Sequence, residues 1–270
     1  MIRVGVLGAG GKMGTEVIRA VIADSELDLV AAVDPALSGI DIRQVAKVDG
    51  NGLHIEGSID SLLHSKPEVV VDFTNAEAAY ANLKFLSASG IHAVCGSTGI
   101  SDTELIEVEK WFENPEGPNA VIAANFAVGA VLMMSFAKLA APYFEGVEII
   151  EMHHDAKVDA PSGTAVATAQ IIKNSREQSG LANFSEDPTE RFVIDGARGA
   201  KGPGDISIHS VRLRGLVAHQ EIIFGTNGQT LTLRHDSFDR TSFMPGVLIA
   251  IKAVSKRPGL TVGLAPILGI

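Results

Sequence analysis

The chain has a single cysteine, Cys95, in 270 residues. One thiol excludes an intramolecular disulfide and any multi-cysteine zinc site. Aromatic residues make up only 5%, so a core must be assembled mainly from Val, Ile, Leu and Ala. Basic residues are scarce too: 22 Lys and Arg face 32 Asp and Glu, a net charge of −10. Sequence-blind nucleic-acid binding runs on phosphate neutralisation by cations, so no nucleic-acid partner is expected. A local basic pocket for a small anion stays open. The N-terminus lacks the basic region, apolar core and cleavage site of a secretory signal. The lone thiol fits a reducing compartment. The triplet Asn183-Phe184-Ser185 has the form of a glycosylation sequon, which means nothing without secretion. Long apolar runs are almost absent. The uncharged stretch 117–137 is long enough to span a bilayer, but Asn125 interrupts it. It reads instead as a buried strand (Ala120–Ala124), a turn and a buried helix, and no membrane partner is expected.

What is present is globular: 46% of residues are hydrophobic and 20% charged. The first part alternates apolar runs of strand length with helical spacing. Ile2–Leu7, Leu27–Val33, Val69–Phe73 and Ile91–Cys95 read as strands. Met13, Val17, Ile18, Val21 and Ile22 recur at helical steps. Residues 35–52 look like loop, a short helix is expected after Ser58, and Ala76–Ser89 reads as a helix stopped by Gly90. Ser101 with Glu104 has the form of a capping box. This alternation predicts α/β architecture on a doubly wound parallel sheet. After Asn125 the pattern changes. Helices are expected at Gly129–Ala141 and from Ser162 to about Glu177, and a strand at Val147–Met152. Residues 179–203 are loop-like. Asp205–Leu213, Val217–Phe224 and Gln229–His235 then follow as serial strands, which suit an antiparallel or mixed sheet. Thr241–Val254 looks helical.

The first chemical constellation is Gly8-Ala9-Gly10-Gly11-Lys12-Met13-Gly14, between strand and helix. A dinucleotide pyrophosphate needs bare backbone N–H groups and a helix N-terminus. Gly8 and Gly10 fit the usual G-x-G-x-x-G spacing, but Met13 holds the third glycine position. Gly8, Gly11 and Gly14, at steps of three, describe it better. Asp34, closing the next strand, is placed to hold the adenine ribose hydroxyls and to repel the extra phosphate of NADP. Pro35 and Ala36 follow, with no arginine to receive that phosphate. NADH is therefore the expected cofactor, with NADPH tolerated.

The second constellation is Glu148 to Ala165. It places His153, His154 and Lys157 within five positions, just before Ser162-Gly163-Thr164 opens a helix. A histidine trades protons near neutral pH, and Lys157 with free helix N–H groups suits a carboxylate. Plainer roles exist. The two histidines with Asp155 could be metal ligands, but adjacent residues on an extended segment point apart and no cysteine assists, so no metal is expected. Ser162 could be only an N-cap, and Glu148 and Glu151 could orient or flank the site. The basic loop Arg198–Gly202 is either solvated surface or an aid to steering an acidic substrate. On the residues alone, a different nicotinamide reductase and a non-catalytic dinucleotide sensor stay open. Cys95, ending a strand, is a weak nucleophile candidate for the former.

The string E-I-x-E-x-H-x-x-x-K-x-D-x-P-S-G-T-A at Glu148–Ala165 resembles the signature of the dihydrodipicolinate reductase family. The resemblance extends to the Gly8 loop, Asp72-Phe73-Thr74, Ala123–Phe126, Val211-Arg212, His219-Gln220-Glu221 and Asp239–Phe243. It implies a Rossmann-type domain over residues 1–126 and 240–270. An α+β domain on a mixed sheet, over residues 127–239, would bind substrate and assemble a homotetramer. It implies a cytoplasmic enzyme that carries out NAD(P)H-dependent reduction of a cyclic dicarboxylate in lysine and diaminopimelate biosynthesis. By the same resemblance His153 is the proton donor and Lys157 the second catalytic residue. His154, Lys157, Ser162, Gly163, Thr164 and Thr98 would bind substrate. Gly8, Ala9, Gly10, Gly11, Lys12, Met13, Asp34, Phe73, Gly96, Ser97, Thr98, Ala123, Ala124, Asn125 and Phe126 would bind cofactor. The family often has Thr where this chain has Ser97, and the hydroxyl is kept.

Overall fold

Valine-rich segments buried on both faces build the first sheet of the computed structural model, which describes residues 1–49, 52–184 and 187–270. Ser185 of the sequon lies outside the described residues, as do residues 50 and 51 of the stretch expected to be loop. The chain divides into two units, Met1–Val128 with Arg240–Ile270, and Gly129–Asp239.

The first unit runs β1 (Ile2–Leu7), α1 (Lys12–Ala23), β2 (Leu27–Val33), α2 (Ile42–Ala46), α3 (Leu62–Ser65), β3 (Val69–Asp72), α4 (Ala76–Ala88), β4 (His92–Cys95), α5 (Asp102–Trp111) and β5 (Ala120–Ile122). Its sheet has the order β11-β5-β4-β3-β1-β2, where β11 is Leu260–Val262 near the C-terminus. Every neighbouring pair is parallel. Strands covered by helices on both faces read as near-continuous apolar runs, and Val69, Val70 and Val71 are buried accordingly. Strand order reverses at β1/β3, where open α/β sheets carry their ligand crevice. The capping box is formed: Ser101 Oγ accepts from Glu104 N, and Glu104 accepts from Ser101 N. Helix α2 falls in the stretch read as loop. Asp41 caps it by accepting from Arg43 N at 2.8 Å, but five residues are too few to show periodicity.

The second unit contains α6 (Val128–Ala140, whose first residue belongs to the first unit), β6 (Gly146–His153), α7 (Gly163–Gln178), β7 (Ala200–Lys201), β8 (Ser207–Arg212), β9 (Ala218–Thr226) and β10 (Gln229–Ser237). Sheet order is β10-β9-β6-β8-β7. Only β6/β8 is parallel, so the sheet is mixed. Its core face packs Ile149, Ile208, Ile222 and Phe224 against Ala165, Ala169 and Ile172 of α7 and Met133 and Ala137 of α6. The chain then returns to the first unit through a 3₁₀ turn at Arg240–Phe243 and α8 (Met244–Val254), so the expected helix starts three residues late. Pro245 sits in its first turn, where a missing N–H costs nothing. Strand β11 and α9 (Ala265–Leu268) lie beyond the last expected helix. They are too short to announce themselves.

Candidate active site

In the first unit, the turn after β1 doubles back on itself before α1. Gly8 has φ +73°, a conformation open to glycine. A Cβ on Gly14 would collide with the Gly8 carbonyl, which lets the helix start against the strand end. Gly11 is the N-cap and offers no side chain to the first helical N–H groups. These stay free to face an anion. Lys12 is exposed beside them and Met13 is half-buried. Ala9 is buried, its N–H donating to Val33 O at 3.1 Å. Asp34 ties the loop to β2: its Oδ2 accepts from Gly10 N at 2.9 Å and its Oδ1 from Ala36 N at 3.0 Å. A bare glycine cradle, a free helix N-terminus and a carboxylate at the end of β2 fit a dinucleotide.

The loops after β3, β4 and β5 meet nearby. Gly96 lies so close to the Phe73 ring that any Cβ would overlap it. Phe126 meets Phe73 edge to face, centroids 5.9 Å apart. Ala123 N donates to Cys95 O at 3.0 Å, and Asn125 Oδ1 accepts from Ala127 N at 2.9 Å. Ala124 and Thr98 are exposed. Ser97 differs: it is buried, and its hydroxyl donates to Asp72 Oδ1 at 3.3 Å. Cys95 is buried, and desolvation pushes its thiol up to about 12, which makes it inert as a nucleophile.

In the second unit, period-two alternation along β6 sends Val147, Ile149, Glu151 and His153 to one face. Glu151 is thus forced into the core row and has no exposed surface. Register supplies its partner, because β8 sets Arg212 beside His153. Arg212 clamps both carboxylate oxygens at 2.8 and 2.9 Å. Ser162 N donates to Glu151 Oε1 at 3.2 Å, and His153 Nδ1 donates to Oε2 at 2.6 Å. Burial pushes the Glu151 carboxyl up, but hydrogen bonds led by Arg212 outweigh it and the net direction is down. His153 is lowered, first by burial and then by the Lys157 and Arg212 cations, against the opposing pull of Glu151.

Arg212 also reaches the Asp159 carbonyl at 2.7 Å. The Asp159 carboxylate in turn holds Lys157 Nζ through both oxygens, at 2.8 and 2.9 Å. The Lys157 ammonium holds the Asp159 carboxyl below its ordinary range. His154 is exposed, and its carbonyl accepts from Lys157 N, closing the turn. Gly163 and Thr164 open α7. Ser162 is buried, with its Oγ accepting from Ala165 N at 3.3 Å. Its hydroxyl therefore braces the helix start rather than facing outwards. Arg198 is bound by Glu148 and by Asp187, so the basic loop spends its charge internally.

Sequence reasoning gave Arg212 no role in the site. Its signal lies in the alternation Ile206, Ile208, Ser210, Arg212 on the face that holds Glu151, visible only once β8 is paired with β6. Among the described residues no group of three His, Cys, Asp or Glu side chains could hold a metal ion, and no helix is long and apolar enough to cross a membrane.

A parallel sheet with a glycine turn at its switch point, joined to a unit bearing a carboxylate-held histidine, defines a nicotinamide-dinucleotide oxidoreductase of Rossmann type. Residues 2–126 match the family model described as dihydrodipicolinate reductase, N-terminus, and residues 129–268 the one for its C-terminus. The 4-hydroxy-tetrahydrodipicolinate reductases of Nocardia farcinica and Mycolicibacterium smegmatis are 49% and 50% identical, covering 100% of this chain and 99% and 100% of their own lengths. A solved dipicolinate-bound dihydrodipicolinate reductase from Paenisporosarcina sp. TG-14 superposes with a TM-score of 0.86 at 41% identity, covering 98% of this chain and 99% of that one. The chain belongs to the dihydrodipicolinate reductase family. Its activity is an NAD(P)H-dependent reduction in lysine and diaminopimelate biosynthesis.

Proposed function

We propose that the substrate is 4-hydroxy-tetrahydrodipicolinate or its dehydrated form, reduced to tetrahydrodipicolinate with NADH preferred over NADPH. The observation that carries this is the Glu151–His153 pair standing beside Lys157 and the open start of α7. The dipicolinate held by the Paenisporosarcina relative is a ring dicarboxylate of the same kind. Residues 1–126 and 240–270 form the dinucleotide-binding domain, and residues 127–239 the substrate domain, through which four copies assemble.

His153 Nδ1–H donates to the Glu151 carboxylate, so Nε2 is the nitrogen left for the substrate. When the ring is protonated, Nε2–H donates the proton that completes the reduction. Burial favours the neutral ring in the free protein, and an arriving dicarboxylate raises it towards the charged form. Two donors of Lys157 rest on Asp159, which leaves the third for a substrate carboxylate. The N–H groups of Gly163 and Thr164 share that carboxylate and steady the charge that develops on the ring. His154 and Thr98 line the substrate, while Ser162 sets the position of the helix start. The dihydronicotinamide, when bound, supplies the hydride. Gly8, Ala9, Gly10, Gly11, Lys12 and Met13 hold its pyrophosphate and Asp34 the adenine ribose. Phe73, Gly96–Thr98 and Ala123–Phe126 flank the nicotinamide. The Asp34 carboxylate, with Pro35 and Ala36 after it, disfavours a ribose phosphate.

The test is loss of dihydronicotinamide absorbance with substrate made fresh from pyruvate and aspartate semialdehyde by the upstream synthase. NADH and NADPH are run in parallel, with His153→Ala and Lys157→Ala. Turnover by the wild type, falling about 100-fold or more in each variant, is expected for a lost proton donor and a lost carboxylate clamp. A folded wild type that binds NADH yet leaves it unoxidised overturns the substrate assignment.

A further inference from the structure

Asp72 ends β3, next to β1, at the point where the strand order of the first sheet reverses. Its side chain is fully buried. Four donors converge on the carboxylate. Oδ1 accepts from Thr74 N at 2.9 Å, Thr74 Oγ1 at 2.6 Å and Ser97 Oγ at 3.3 Å. Oδ2 accepts from Asn82 Nδ2 at 2.8 Å. Its own carbonyl accepts from Gly96 N at 2.9 Å. Asp72 thus fastens the loop after β3 to the loop after β4, with Phe73 and Gly96 packed between them.

All four donors are neutral. Every other strongly buried carboxylate in the described sites has a cation: Glu151 has Arg212 and Asp41 has Arg43. A buried charge without a counter-charge is costly even when hydrogen-bonded. An asparagine would make a similar loop brace without that cost. The retained charge therefore points to a cationic ligand group. The dinucleotide offers one, because its nicotinamide ring is neutral when reduced and positively charged when oxidised. We infer that Asp72 is a positioning residue whose buried negative charge, placed by Thr74, Asn82 and Ser97 beneath the nicotinamide loops, favours the oxidised over the reduced cofactor and so assists hydride departure. This rests on the reading above that Phe73 and Gly96–Thr98 flank the nicotinamide.

A fixed, desolvated charge acts on charge that develops nearby without reorganising. Asp72→Asn removes the charge and keeps the shape. The Asn82 amide can turn its oxygen to the new donor, so the loop brace survives. The experiment measures dissociation constants of NAD⁺ and NADH by titration calorimetry and fluorescence, for wild type, Asp72→Asn and the double variant Asp72→Asn/Asn82→Asp. The single variant is expected to lose about tenfold in NAD⁺ affinity while NADH changes by less than about twofold. The double variant moves the charge by one hydrogen-bond length and restores the wild-type ratio of the two constants. A purely structural brace would weaken both cofactors together, and an unchanged ratio in the folded single variant overturns the inference. Should the single variant fail to fold, the double variant carries the test, and a ratio tenfold from wild type overturns it. A wild type that binds neither cofactor overturns the nicotinamide reading itself, a separable failure.

Discussion

Replacing Glu151 with glutamine changes one atom of a fully buried carboxylate and reaches both stability and chemistry. In the native site Oε1 accepts from Arg212 and Ser162 N, and Oε2 from Arg212 and His153 Nδ1. A glutamine can keep its oxygen at the first position. Its NH₂ group then meets a second Arg212 donor, so one charge-assisted bond is exchanged for a donor–donor contact. Bonds to charged groups contribute about 1.5–3 kcal/mol, so a loss of about 2–3 kcal/mol in unfolding free energy is expected. Glu151→Ala strips the guanidinium of the carboxylate it clamps through both oxygens and costs about 3–5 kcal/mol. The chemical effect follows from the other side of the same amide. The glutamine NH₂ donates to His153 Nδ1, which drives the neutral ring to the Nε2–H tautomer. It also removes the one influence that holds the ring's proton affinity up. The turnover number at neutral pH should fall about 100-fold, the low end of general acid catalysis. The alkaline limb of the turnover profile, where the protonated ring is lost, should move to lower pH, with the Michaelis constant for the dinucleotide unchanged. Nitrogen-15 NMR of the imidazole reports the tautomer directly. A glutamine variant with wild-type turnover and pH profile would refute the role given to Glu151.

Further outcomes are expected. Gly14→Ala should weaken dinucleotide binding at least tenfold in fluorescence titration, since the new Cβ collides with the Gly8 carbonyl and pushes α1 from the loop. Ser162→Ala should cost about 1 kcal/mol in denaturant unfolding through the lost cap, with the substrate Michaelis constant within about twofold. His92, His153 and His235 are all lowered by burial. Their unfolded forms take up protons first, so stability is full above about pH 6.5 and falls as pH drops through that value towards their folded values. His92 Nδ1 also accepts from Asn119 N at 2.8 Å, a bond that only the neutral ring makes. Urea midpoints between pH 7.5 and 5 should show this slope, and His92→Gln should flatten it; an unchanged slope would remove His92 from the account.

Much of this molecule is written in local pattern. Buried parallel strands need apolar runs, so β1 to β4 show themselves. The Gly8 loop is legible because only glycine lets backbone crowd backbone there. His153, Lys157 and the start of α7 lie close in sequence, so their chemistry could be read before any fold was known. Two short elements, α2 and β11, are too brief to show periodicity and stayed silent.

Tertiary structure decided the rest, because it depends on which strand lies beside which. Arg212 is far from Glu151 in sequence and reaches it only through the parallel β6/β8 register. Asp72, Asn82 and Ser97 meet because β3 and β4 are neighbours and α4 returns over them. The sequence determined the kind of chemistry by placing a histidine, a lysine and a helix start within twelve residues. The fold chose which buried charges meet a counter-charge, since burial and register belong to no single segment of the chain.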